Sequence, residues 1–201
     1  MSEALRQVHL GCGVTILEDY LNVDIDPPAG GIWCDFEDRA AVNKVLKEHC
    51  PEGVDRYLAS HVLEHVTNLM PLLEMLWEHA NDGCELEIHV PHGASDDAWE
   101  DPTHVRPWFA HTPLYFQQAA YWRATPPDGY SADWAYVNLT YVLHEGRIRP
   151  GFSDLAALDE AIARDRNVVR EMLIKLRAVK PARARLQELQ DHPTVSADWR
   201  V

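Results

Sequence analysis

The sequence predicts an α/β protein: a doubly wound, mostly parallel sheet with an antiparallel strand pair near its C-terminal end. Three features carry this reading. Short apolar runs alternate with turn clusters and helix-period segments through the first half of the chain, the pattern of parallel strands joined by crossovers. A glycine turn follows the first of these runs directly, and an acidic residue ends the second. Two later runs with strict alternation stand close enough to pair as neighbours.

Gln7-Val8-His9-Leu10 is the first strand and runs straight into Gly11-Cys12-Gly13. Leu21 to Ile25 is the second, stopped by Asp26-Pro27-Pro28 and a Gly30-Gly31 turn. No helix of ordinary length fits between Gly13 and Leu21. Ile32 to Phe36 is the third strand. Asp38 then offers an N-cap to a helix carrying Val42, Val45 and Leu46 on one face. Val54 to Ser60 is the fourth strand. Leu69 to Ala80 has Leu69, Leu72, Leu73 and Leu76 at helical spacing and ends at Asn81-Asp82-Gly83. Leu86 to Val90 is the fifth strand, halted by Pro91. A polar irregular stretch, His92 to Pro107, follows; Thr112 to Tyr121 is expected to be helical and Tyr136 to His144 a strand. Asp154 to Arg164 is a short helix. Val168 to Val179 alternates as a strand does, although a helix also fits. A polar tail closes the chain.

With 201 residues the chain is of single-domain length and buries roughly 70% of its unfolded surface, so it needs no disulfide or metal staple. The formal net charge is −14, and it is unevenly spread. Residues 1–100 hold 20 acidic and 5 basic side chains; residues 101–201 hold 12 and 13. This acidity argues against broad nucleic-acid binding, which needs a basic face, and against an anionic membrane surface. The basic stretch 164–185 is read mainly as a solvated strand face, with attraction of an anionic acceptor as the alternative. No apolar run approaches ~18 residues, and Met1 to Arg6 lacks the apolar core of a signal peptide. Cys12, Cys34, Cys50 and Cys84 form no CxxC pair, so reduced thiols in a cytoplasmic protein are expected.

A strand running into Gly-Cys-Gly lets the backbone turn sharply and approach a ligand at the carboxyl edge of the sheet. Asp24, with Asp26 as alternate, stands where a carboxylate can accept from both ribose hydroxyls. A pyrophosphate would want a helix N-terminus after the turn, and the short spacing to Leu21 disfavours one. A nucleoside ligand without phosphates remains suited.

Taken together, His9-Leu10-Gly11-Cys12-Gly13, Tyr20 to Ile25, Cys34 to Asp38 and Ser60-His61-Val62-Leu63-Glu64-His65-Val66 resemble, in that order, class I S-adenosylmethionine-dependent methyltransferases of the methyltransferase-11 type, in their compact branch. The likeness spans roughly residues 7–120. It implies a Rossmann-like domain over residues 1–180, with a cofactor half at 1–91, an acceptor loop and helix at 92–125 and C-terminal strands at 134–180, followed by a tail at 181–201. It implies S-adenosylmethionine as cofactor. Gly11, Cys12 and Gly13 would floor the site, Asp24 would hold the ribose, and Asp35 with Phe36 would meet the adenine. Ser60 and His61 would lie beside the methionine part, while Glu64 and His65 would orient the loop.

The loop from His92 to Arg106 leaves the fifth strand over the same sheet edge. Methyl transfer is an in-line displacement, so most of the catalysis is placement of the acceptor. A hydroxyl acceptor also gives up a proton, which makes His104 and His92, then Asp96 and Asp97, the candidate bases. A divalent ion on His92, Asp96, Asp97, Asp101 and His104 is a lesser reading, because the spacing matches no metal motif. His61 and His65 lie one helical turn apart but lack the H-E-x-x-H order of zinc proteases. Any of these side chains also has a plain structural role open to it, as a turn cap or a buried polar group. The expected partner is a small-molecule acceptor with an oxygen nucleophile, a sugar or natural product; a second copy of the chain is an alternative seat for the tail. The competing class is a non-catalytic methyltransferase fold kept as a nucleoside-binding or interaction module.

Overall fold

The computed structural model describes residues 5–145 and 152–198. The first residues of the N-terminal segment read for targeting, and the last three of the tail, lie outside the described residues. Eight strands form one sheet in the order β3-β2-β1-β4-β5-β7-β6-β8. They are β1 (Gln7–Leu10), β2 (Leu21–Asp24), β3 (Ile32–Trp33), β4 (Val54–Ser60), β5 (Ala80–Pro91), β6 (Trp134–Leu143), β7 (Val169–Ala178) and β8 (Thr194–Asp198). Strands β1 to β5 pair in parallel. Strand β7 is antiparallel to both β5 and β6, and β8 runs parallel to β6 at the edge. The doubly wound α/β class with its antiparallel C-terminal pair is therefore what the chain adopts.

Helix α1 (Arg39–His49) is capped as expected: the Asp38 carboxylate accepts from the amides of Ala40 and Ala41, and the helix buries Val42 and Leu46. Helix α2 (Leu69–His79) buries Leu69, Leu72, Leu73, Met75 and Leu76. Two further helices are α3 (Asp97–Glu100) and α4 (Leu155–Arg164).

Several elements depart from expectation. Strand β3 stops after Trp33 because the Asp35 side chain accepts from the Glu37 amide and turns the chain. Asn81-Asp82-Gly83 does not stand apart as a helix end; it enters β5, where the register against β4 shifts. Residues 112–121 form two 3-10 helices instead of one α-helix. The break falls at Gln117 because the next amide, Gln118 N–H, donates to the buried Asp133 carboxylate at 3.2 Å, not along a helix. The ambiguous stretch is a strand: β7 alternates, burying Val169, Met172, Ile174, Leu176 and Ala178.

The segment read as a tail contributes β8, and it is fastened to its own chain. Arg183 Nε and Nη2 donate to the two oxygens of buried Asp133 at 2.7 and 2.9 Å, and Arg183 Nη1 donates to Asp191 at 2.7 Å.

Between β1 and β2 there is no helix. Residues 14–20 are held instead by Asn22: its side-chain oxygen accepts from Leu17 N–H at 3.0 Å, and its amide nitrogen donates to Leu17 O and Tyr20 O.

Candidate active site

The carboxyl ends of β1, β2 and β4 open onto a cavity of about 360 Å³. Its walls are Gly11, Gly13, Asp24, Ile25, Asp35, Phe36, Glu37, His61, Val62, His65 and Val66. Gly11 has φ +64°, and a Cβ there would come to 2.5 Å from Val62 Cβ, so both the turn and the close approach require glycine. Gly13, at φ +51°, faces open space.

Asp24 braces this turn. One oxygen accepts from Gly13 N–H at 2.8 Å and the other from Asp26 N–H at 2.9 Å. Each carboxylate oxygen keeps a further lone pair for a ligand. Six of the expected cofactor residues thus share one cavity: Gly11, Gly13, Asp24, Asp35, Phe36 and His61. Cys12 is buried with its thiol against Gly13 O, and Ser60 remains in β4; neither lines the cavity. The sequence reading did not assign Ile25, Glu37, Val62, His65 or Val66 to the cofactor. Glu37 lay within the quoted motif, but its partners lie thirty residues on: its carboxylate accepts from Thr67 N–H and Asn68 N–H at the start of α2.

A second cavity, of about 440 Å³, opens beneath the loop that follows β5. It is lined by His61, Pro91, Asp97, Glu100, Asp101, His104, Arg170 and Glu171. His61 borders both cavities. It follows β4 directly in the left-handed region, φ +53°, a conformation that costs a non-glycine residue free energy and clusters at functional sites. Its Nε2 donates to Glu171 at 2.9 Å, and its Nδ1 stands 3.4 Å from Glu64 Oε1. These two carboxylates, Glu171 first, raise the imidazole pKa to about 10, so His61 is a cation near neutral pH. Burial, the largest single influence, would raise the Glu171 carboxyl, but the hydrogen bond from His61 and the charges of His61, His89 and Arg170 together hold the group below its ordinary value.

The four candidate bases separate. Asp97 and His104 line the second cavity; His92 and Asp96 do not. His92 is buried against the rings of Phe109 and Tyr141, its Nδ1 accepts from Ala94 N–H at 3.3 Å, and burial lowers its pKa to about 4. Asp96 is engaged by Arg166 Nη2 at 2.7 Å and Asn167 Nδ2 at 2.6 Å. His104 Nδ1 lies 3.2 Å from the Ala98 carbonyl, which only accepts, so in the neutral ring Nδ1 carries the proton and Nε2 the lone pair. The loop is pinned over β4 by Val105 N–H to Glu64 O at 2.9 Å and by Arg106 to Val66 O and Thr67 O. The five-residue metal set considered from sequence does not converge. Among the described residues, the His, Cys and carboxylate side chains that gather closely enough to hold an ion are Glu64, His65 and His104.

No family model matches the chain, and no curated protein does. Solved structures do. An S-adenosylmethionine-dependent methyltransferase from Archaeoglobus fulgidus superposes with a TM-score of 0.53 at 15% identity, covering 86% of this chain and 85% of its own. A second such methyltransferase, from Mesorhizobium loti, aligns over 87% of this chain and 91% of its own, with 13% identity and a TM-score of 0.43. The first likeness shows the fold: a class I, Rossmann-like methyltransferase fold.

Proposed function

We propose that the chain is an S-adenosylmethionine-dependent methyltransferase acting on a small acceptor with an oxygen nucleophile, of the sugar or natural-product kind. The observation that carries this is the pair of cavities sharing His61: one of nucleoside size and mixed lining at the glycine turn, one polar and beneath the loop. Such volumes fall in the range of small-molecule sites.

Bound S-adenosylmethionine supplies an electrophilic methyl group on a sulfonium. The residues present fit it. Gly11 and Gly13 let the backbone approach, Asp24 and Asp35 offer acceptors for hydroxyls and an exocyclic amine, and Ile25, Phe36, Val62 and Val66 give apolar faces for a purine. In the second cavity, Asp97, Glu100, Asp101 and Arg170 suit an acceptor with several hydroxyls. His104 Nε2, with Nδ1–H committed to Ala98 O, is fit to take a proton from the reacting hydroxyl, and Asp97 is the alternate. His61, as a cation, is a positioning group. In this reading residues 1–91 serve the cofactor and 92–125 the acceptor. Four free, buried thiols support a reducing, cytoplasmic setting.

A non-catalytic nucleoside-binding module is favoured by one observation, the irregular 14–20 loop with Val14 93% exposed beside the glycine turn. Titration with S-adenosylmethionine followed by turnover assays separates the two. The enzyme reading expects Asp24→Ala to abolish cofactor binding, and His104→Ala to keep binding and lose turnover. Loss of cofactor affinity in the His104 variant alone would refute its assignment to the acceptor side.

A further inference from the structure

We propose that Glu64, His65 and His104 form a divalent-cation site on the seam between the two cavities. One ligand atom from each lies within 4.8 Å of the others. His65 lines the first cavity and His104 the second, so a cation here would face both.

Glu64 points to a ligand most directly. It is 1% exposed, and neither carboxylate oxygen has a hydrogen-bond partner. The His61 imidazolium, 3.4 Å from Oε1, offsets the Glu64 charge as an ion pair but makes no hydrogen bond to either oxygen, and its other nitrogen lies 2.9 Å from Glu171. Glu64 shares this one imidazolium with Glu171, and both its buried oxygens keep lone pairs that no hydrogen bond uses, which metal coordination would satisfy.

Both imidazoles are oriented from behind. Thr103 Oγ lies 2.6 Å from Asp101 Oδ1, which only accepts, so the hydroxyl proton points there. His65 Nδ1, 2.9 Å from the same Oγ, must then be the donor. His104 Nδ1 donates to Ala98 O. Each ring is left with Nε2 as its free lone pair, which is the arrangement outer partners impose on metal-binding histidines. The two rings meet edge to face with centroids 4.7 Å apart. Asp101 Oδ2, 3.9 Å from His104 Nε2, is near enough to serve as a further oxygen ligand.

Two imidazoles and one carboxylate suit a borderline first-row cation such as zinc, cobalt, manganese or iron(II), over magnesium or calcium. The remaining coordination positions would be open to an acceptor oxygen. His104 Nε2 cannot both ligate and take the proton; with a cation bound, that task passes to Asp97. The site itself does not depend on methyl transfer.

The test is titration of metal-free protein with Co²⁺, read by visible absorption, and with Zn²⁺, read by calorimetry. One equivalent should bind. Glu64→Gln and His104→Ala should weaken binding by about a hundredfold or more. Thr103→Val alters an exposed residue that reaches the cation through His65 and Asp101 without ligating it, and it should weaken binding by roughly 10- to 100-fold with unchanged thermal unfolding of the metal-free form. Absence of saturable one-to-one binding, or binding that survives His104→Ala and Thr103→Val unchanged, would overturn the site. S-adenosylmethionine is titrated separately into the metal-free protein. Cofactor binding without metal binding rejects the cation site and leaves the proposed function standing; metal binding without cofactor binding does the reverse.

Discussion

His92 and His104 belong to one loop, yet the fold puts them to different uses. His104 lines a cavity, while His92 is packed among aromatic rings with its pKa lowered to about 4. Between that value and the ordinary 6.5, the unfolded chain binds a proton at His92 and the native protein does not. His92 therefore adds stability that is complete above about pH 6.5 and lost as pH falls toward 4. Replacement by Gln, which keeps an acceptor for Ala94 N–H, should flatten the acid limb of the stability curve by up to about 3 kcal/mol. Chemical denaturation of both proteins at pH 7 and pH 4.5 measures this; equal losses in both would show that His92 does not titrate with unfolding. At this scale the sequence was partly legible. Residue types in the loop marked a polar site, but which His faces the cavity depends on the ring contacts of Phe109 and Tyr141, which spacing does not reveal. The same holds for Glu64, whose burial follows from the packing of a loop forty residues away against the end of β4.

Local chemistry read from sequence held for α1, where Asp38 caps its own helix, and for β7, where alternation decided. It did not hold where partners are distant. Helix α2 has no side-chain cap of its own; Glu37, just before α1, accepts from the amides that open it. Glu37→Ala should cost about 1 kcal/mol, as losses of N-terminal caps do, and should also weaken cofactor binding because Glu37 lines that cavity. Urea denaturation checks the first effect and calorimetry the second; unchanged stability would show that water replaces the carboxylate without loss. Residues 112–121 carry helical spacing but break at Gln117, since buried Asp133 competes for the next amide. Strand β3 and the start of β5 were misjudged for a related reason: an Asp side chain and a register shift change the backbone course within two or three residues.

The strand arrangement brings Asp24, Asp35 and Glu37, all from the acidic first half of the chain, together at the cavity beside the glycine turn. The fold class and this edge of the sheet were legible because glycine turn, acid and strands follow one another in the chain. The union of the two cavities at His61, and β8, were not, because each joins segments far apart in sequence. The 181–198 segment is held by Asp133, fully buried and bonded to Arg183 and to Gln118 N–H. Arg183→Ala would leave that buried carboxylate with two backbone donors but without its cation and should cost about 3 kcal/mol, whereas the exposed Arg164→Ala should change stability by less than about 0.5 kcal/mol. Thermal unfolding of both variants reads the contrast; similar midpoints would mean the segment contributes little to the whole.

The central claim is that the cavity at Gly11, Asp24 and Asp35 holds S-adenosylmethionine. Isothermal titration of the cofactor into wild-type protein and Asp24→Ala tests it most directly. The account predicts saturable one-to-one binding by the wild type and none by the variant. No heat of binding to the wild type at millimolar cofactor, or equal binding by both proteins, would contradict it.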